Sequence, residues 1–363
     1  MVDKPARKRI ILFKLRFHRG ELAPPHMQMI HWMGAKDIQP LPAVNGIFCS
    51  LPPGISDKEI ATSGGVVAVE ENFTIKLNSY QVVPFNPIWP YGEQLMPRGI
   101  CNIGAPNFWS ETRGEGVSVA VMDTGIDGSH PDLKPNLKGG INLIHPGKSY
   151  FDDHGHGTHM AGIIAAGDTG KGIIGAAPEA RLYAVKVLDQ KGEGTVYHVI
   201  SALQWCSKHK MHVVSMSFVL DKYSRALEEA VRYARRRGLF LVAAAGNHQE
   251  TGVDYPAMLD ETVRVAAVED RSKPADFDDG ESKALLVGPG RKIVSTYRWG
   301  TYACLTGNSM AMAHVSGVAA LLKAKYPGED VEKLHRRLRS GAVALKGPDQ
   351  LTAGAGIVRV DES

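Results

Sequence analysis

The chain of 363 residues is 44% hydrophobic and carries 39 glycines, a balance that excludes a disordered chain and fits a buried α/β core long enough for two domains. A net charge of +4 is too small and too dispersed to imply nucleic acid, and Arg235–Arg237 and His335–Arg337 read as solvated helix faces. No apolar stretch reaches membrane-spanning length, so no membrane partner is expected.

Residues 1–78 read as a small α+β unit. Arg9 to Phe17 is predicted as a strand, His26 to Met33 as a helix after two prolines, and Asp37 to Val44 with Asn45 to Leu51 as a hairpin. Ser56 caps a short helix to Thr62, and Val66 to Phe73 is the last strand. That order, βαββαβ, is ferredoxin-like. Near the basic N-terminus, Ile10 to Phe13 is too short for a signal h-region and is followed by Lys14 and Arg16. Cytoplasmic location is therefore the default expectation, overturned if a further segment precedes this one. Cys49, Cys101, Cys206 and Cys304 form no C-x-x-C pair and read as buried free thiols.

Pro84, Pro87 and Pro90 mark residues 79–92 as an extended, semi-rigid linker to a second domain over 93–363. There, Val117 to Met122 is an apolar run that reads as a buried parallel strand, delivering Asp123 at its C-terminal end. His156 stands at the start of a helix of small residues, Met160 to Ala166. His154 and His159 lie close by, but without a Cys or Glu partner the three do not make a zinc site. Leu241 to Gly246 is a further strand and turn before Asn247. Asp276, Asp278 and Asp279 read as a solvated loop. Ser309 opens a helix, Met310 to Lys325, that stops before Pro327.

Taken singly, an Asp at a strand end and a Ser at a helix start are ordinary turn and cap residues. In the order Asp, His, Ser, with the neighbours VMDTGID, HGHGTHMAG and GNSMAMAH, the chain resembles the subtilisin-type serine proteases. The likeness extends over residues 93 to 360 and less clearly over the N-terminal unit. It implies a subtilisin-like α/β fold: a parallel sheet of seven or so strands with helices on both faces, preceded by a ferredoxin-like prodomain. It implies a serine endopeptidase acting on proteins or peptides. A serine hydroxyl is a weak nucleophile that needs a base, and an imidazole serves as that base when a carboxylate fixes its tautomer. Ser309 would attack, His156 would carry the proton and Asp123 would orient His156. Asn247, with the Ser309 amide, would hold the oxyanion.

The segment VVAVEEN resembles the end of the family's inhibitory prodomain. The chain would then carry its own intramolecular inhibitor, with a tail added as a strand to Gly192-Glu193-Gly194 and to Ser217-Phe218-Val219. Register with the prodomain places the processing cut near Asn78, and register with the catalytic domain places it near Gly92. The family's primary specificity pocket maps to Ser217-Phe218-Val219 and Ala244-Ala245-Gly246, with Asp254 of VDYPA at its base. Asp254 would either pair with a lysine or arginine of the substrate or only cap its own loop. Val219, where the family has glycine, would narrow the entrance.

A calcium site is also implied, with no organic cofactor. Its oxygen ligands would come from Gln94, Asp132 and the loop Gly167 to Ile173, in which Thr169 replaces the family's asparagine and Lys171 and Ile173 offer carbonyls. Two departures stand at the nucleophile: Asn308 replaces threonine and could offer an amide to the oxyanion, and Ala313 replaces proline. The second removes a helix distortion and leaves open a peptide ligase or transpeptidase using the same acyl-enzyme. A prodomain-plugged binding protein without enzymatic activity is the other alternative.

Overall fold

Every residue of Ser118–Asp123 is buried, and its side chains divide by parity. Val119 and Val121 enter one apolar cluster, built on the helices His156–Ala165 and Asn308–Lys325. Ala120 and Met122 enter another, built on Val196–Lys208 and Arg225–Arg236. Val213 and Val214 split the same way, as do Val242 and Leu241. A strand apolar on both faces is one covered by helices on both faces. In this computed structural model, which describes residues 6–14, 24–85, 93–246, 254–270, 273–274, 286–344 and 356–360, that is the architecture.

In the main sheet, seven strands among the described residues run parallel. In spatial order they are Leu137–Asn142, Arg181–Lys186, Ser118–Asp123, Val213–Met216, Phe240–Ala244, Thr262–Asp270 and Leu286–Pro289. Lys273–Pro274 adds a short antiparallel pairing to Thr262–Asp270. No helix among the described residues is long and apolar enough to cross a membrane.

The N-terminal unit has the predicted order: strand Arg7–Phe13, helix Pro24–Trp32, strands Lys36–Leu41 and Gly46–Leu51, helix Asp57–Ala61, strand Val66–Glu71. Its sheet is antiparallel, with the first strand between the third and fourth. Ser56 caps its helix through a reciprocal pair with Glu59. One face packs Ile11 and Ile47 against Ile30 and Ile60 of the unit's own helices. The other presents Ile10, Leu12, Leu41 and Phe48 to the cluster that holds Val196–Lys208 and Arg225–Arg236. Phe48 stacks on Tyr197 at 4.4 Å between ring centroids.

Two polar side chains complete this docking. The Glu70 carboxylate accepts from the Ser224 hydroxyl at 2.8 Å, the Arg225 N–H at 3.0 Å and the Ala226 N–H at 3.3 Å. Asn72 Oδ1 accepts from the Tyr197 N–H at 2.9 Å. Both satisfy donors at the start of a helix, where the backbone dipole favours an acceptor and above all a carboxylate.

Two expectations need correction. Cys101 is exposed, while Cys49, Cys206 and Cys304 are buried; it sits in a short helix, Arg98–Asn102, with one face to solvent. The stretch after Asn78 is not simply a linker. Gln81–Val83 is a strand, antiparallel to Thr301–Thr306 with Gln81 opposite Thr306 and Val83 opposite Cys304. Residues 86–92, including Pro87 and Pro90, lie outside the described residues.

Candidate active site

Asp123 ends its strand, and His156 begins a helix whose first turn lies against that strand end. The close approach requires glycine. A Cβ on Gly157 would overlap the Gly125 carbonyl oxygen, and one on Gly155 would strike the Tyr297 ring. With those contacts open, His156 Nδ1 stands 3.0 Å from both carboxylate oxygens of Asp123. Both residues are fully buried. Burial by itself would push the Asp123 carboxyl up. The charge and hydrogen bond of the His156 imidazole, with the Thr124 N–H, outweigh it and hold the group below its ordinary value.

A residue outside the three motifs fastens this pair. Asp152, fully buried, accepts from the Thr124 hydroxyl at 2.8 Å and from the His154 and Gly155 N–H groups. Its other oxygen takes the Thr158 N–H at 2.9 Å and hydroxyl at 2.7 Å. One carboxylate thus ties the strand end to the first turn of the His156 helix. An acid four residues before a helix start was the signal available.

Ser309 is fully buried in the first turn of Asn308–Lys325, on the face of the sheet that also carries the His156 helix. Neither Ser309 Oγ nor His156 Nε2 has a hydrogen-bond partner among the described residues. The Asn308 amide donates to the Ala245 carbonyl at 2.9 Å and accepts the Ala267 N–H at 2.8 Å. It fastens the helix start to two neighbouring strands. The helix runs past Ala313 without a break. His159 and His314, also fully buried, are held neutral by burial at pKa values of about 3 and about 4. Asn247 and Asp276, Asp278 and Asp279 lie outside the described residues.

A segment of the chain itself runs through the cleft. Thr74–Leu77 is an antiparallel strand between Glu193–Thr195 on one side and Phe218–Val219 on the other. The Leu77 N–H donates to the Gly192 carbonyl at 2.8 Å, and the Asn78 N–H to that of Ser217 at 3.0 Å. These are the two segments expected to receive the tail. Asn78 is 3% exposed. Beyond it, the Ser79 carbonyl faces Gly307, and Tyr80 lies 5.1 Å from the His156 ring before the chain enters Gln81–Val83. The peptide between Asn78 and Ser79 is therefore bracketed by extended pairing on both sides.

The expected pocket walls converge on Asn78, whose amide points at the Ala244 and Ala245 carbonyls. Asp254 does not offer its charge to a ligand. Its carboxylate is paired with Arg264 Nη2 at 3.1 Å and accepts the Gly246 N–H at 2.9 Å. Both side chains of the pair are nearly buried, at 5% and 8% exposed, so the charge is met inside the protein and a basic substrate side chain has no claim on it.

The oxygen-bearing residues expected around a cation are brought together in part. Gln94 and Leu95 pair with Gly172 and Ile173, and Gln94 Nε2 lies 2.9 Å from the Gly167 carbonyl and 3.2 Å from that of Ile173. Asp132 accepts the Ile173 N–H and the Tyr302 hydroxyl, each at 2.9 Å. Its carboxyl is pushed up by burial. Thr169 instead turns back to the Lys171 carbonyl at 3.0 Å, placing those two in the outer part of the loop. No group of three or more His, Cys, Asp or Glu that could hold a metal occurs among the described residues.

Comparison with known proteins bears on the family and the fold. The model of the subtilase family matches residues 114–356. Thermostable alkaline protease of Halalkalibacterium halodurans is 38% identical over 291 residues, 80% of this chain and 76% of that protein. Subtilisin Savinase of Lederbergia lenta is 40% identical over 269 residues, 74% of this chain and 98% of that protein. The crystal structure of fervidolysin from Fervidobacterium pennivorans, a keratinolytic enzyme related to subtilisin, superposes with a TM-score of 0.85 at 27% identity. That match covers 98% of this chain and 60% of the fervidolysin chain.

Proposed function

The chain belongs to the subtilase family and is a serine endopeptidase of the subtilisin type acting on proteins or peptides, and from that membership we propose that Ser309, His156 and Asp123 are its catalytic triad and that it is made as a self-processing zymogen. The observation that carries the reading is the buried His156–Asp123 contact at 3.0 Å, with Ser309 in the first turn of a helix on the same face of the sheet. His156 Nε2 takes the proton of the Ser309 hydroxyl as Oγ attacks the carbonyl, and returns it to the leaving amine. Asp123 fixes the imidazole and steadies its positive charge. The Ser309 N–H and the Asn247 amide stabilise the oxyanion.

Residues 1–78 act as the intramolecular inhibitor, supported by the strand Thr74–Leu77 lying between Glu193–Thr195 and Phe218–Val219. Calcium is proposed as a structural ion. The donors at its site are an amide, a carboxylate and loop carbonyls, all oxygens of the kind a hard cation takes. Gln94, Asp132, Gly167 and Ile173 would hold it, with Thr169 and Lys171 shaping the loop around them.

Purified wild-type chain, followed by mass over time, should convert to a form lacking the N-terminal unit, while Ser309→Ala stays whole. If both are cut alike, or if neither is cut under conditions in which added peptide is hydrolysed, the zymogen reading fails.

A further inference from the structure

The pocket that receives the residue on the acyl side of the cut presents two backbone acceptors, the Ala244 and Ala245 carbonyls. Its walls are Ser217-Phe218-Val219 and Ala244-Ala245-Gly246, and its base is closed by the Asp254–Arg264 pair. Val219 leans across it: a Cβ placed on Gly246 would lie 3.1 Å from Val219 Cγ1 and would overlap the Asp254 carboxylate. A flat aromatic side chain needs an open slot between the two walls, and here the valine bridges that slot. What the pocket holds is the side chain of Asn78, whose Nδ2 lies 3.5 Å and 3.4 Å from the Ala244 and Ala245 carbonyl oxygens.

Resting on the endopeptidase reading above, we propose that this is a carboxamide pocket: the enzyme cuts after asparagine, and its own processing bond is Asn78–Ser79. The two carbonyls are acceptors, so an NH2 group completes them. A carboxylate of the same shape turns oxygen toward oxygen, and an isosteric leucine removes the Asn78 donor from both carbonyls, leaving the Ala245 oxygen only its bond from Asn308. Lysine and arginine gain nothing, because Asp254 is already neutralised by Arg264. In the step itself, Ser309 Oγ forms an ester with the Asn78 carbonyl carbon. The bond to the Ser79 nitrogen breaks, and His156 delivers the proton that makes it a free amine. Water then hydrolyses the ester to leave the Asn78 carboxylate and restore the serine.

The test uses the full chain and its own conversion. Wild type should give a fragment ending at Asn78. Asn78→Leu and Asn78→Asp should each slow conversion at least tenfold, Asn78→Phe should slow it more, and Val219→Gly should rescue Asn78→Phe at least tenfold. Urea midpoints of each variant in a Ser309→Ala background, within 0.5 M (about 1 kcal/mol at the usual slope) of the parent, keep slow conversion from being read from a misfolded chain. Leu or Phe at position 78 processing as fast as Asn, or a wild-type cut at another bond, overturns the proposal while leaving the endopeptidase intact. Cleavage that persists in Ser309→Ala, or no hydrolysis of any protein by wild type, overturns the endopeptidase reading and this inference with it.

Discussion

Removing the Glu70 carboxylate should release the N-terminal unit from the rest of the chain after processing. Glu70 receives three donors from the start of the helix Arg225–Arg236, at 2.8, 3.0 and 3.3 Å. A hydrogen bond to a charged group contributes about 1.5–3 kcal/mol, and a carboxylate at a helix N-terminus adds about 0.3–1 kcal/mol. The third contact is long, and Ser224 keeps its own cap to the Leu227 N–H, so the net loss in Glu70→Ala should be about 2–3 kcal/mol. At 1.4 kcal/mol per factor of ten, the processed complex should dissociate about 30- to 150-fold more readily. The assay is specific activity against dilution of the processed enzyme. Activity per mole rises as the inhibitory piece leaves, and the midpoint concentration for Glu70→Ala should lie higher by that factor. A shift below threefold would refute the capping argument and leave the interface to its apolar contacts alone.

Gly157→Ala should cost about 2–3 kcal/mol of stability and most of the activity, because its Cβ would overlap the Gly125 carbonyl and force the His156 helix away from Asp123; near-wild-type turnover would contradict this. His159 and His314 titrate at about 3 and about 4 in the folded chain against an ordinary 6.5. The unfolded state therefore binds more protons below pH 6.5, and stability should fall as pH drops. The slope is about 1.4 kcal/mol per pH unit for each histidine, flattening first for His314 and then for His159 as the pH passes their folded values. Urea midpoints of Ser309→Ala that do not fall between about pH 7 and pH 5 would remove the argument. Chelation of calcium should lower the melting temperature of Ser309→Ala, and Asp132→Asn should abolish most of that shift. Equal shifts in both proteins would move the ion elsewhere.

Much of the frame was legible because it is written locally. The apolar run before Asp123 has no polar face, so it had to be a strand covered on both sides. The glycines flanking His156 announced close packing. The Ser56 cap is a short-range signal and reads true, and the structure adds Glu59 as its reciprocal partner. What escaped was long-range. Arg264 neutralises Asp254 from a neighbouring strand, so a carboxylate that looked available in sequence is spent inside the fold. Nothing local marks Glu70 as a cap, since its partners are more than 150 residues away. Gln81–Val83 is too short to show a period, and the prolines beyond it masked a strand.

That three-residue strand governs the aftermath of a cut at Asn78. Thr74–Leu77 is clasped by two segments of the cleft and Gln81–Val83 by a third, so breaking the peptide bond frees neither new end. The new amine of Ser79 stays beside the ester it has just left, at the effective concentration of a tethered neighbour. Resealing, the same reaction run backward, would compete with water for that ester. Scission in this arrangement is a nick in a splinted joint. On the proposed cut at Asn78, what commits the molecule is departure, the peeling of one side or the other out of the cleft, and activation would be timed by the slower grip of two short strands.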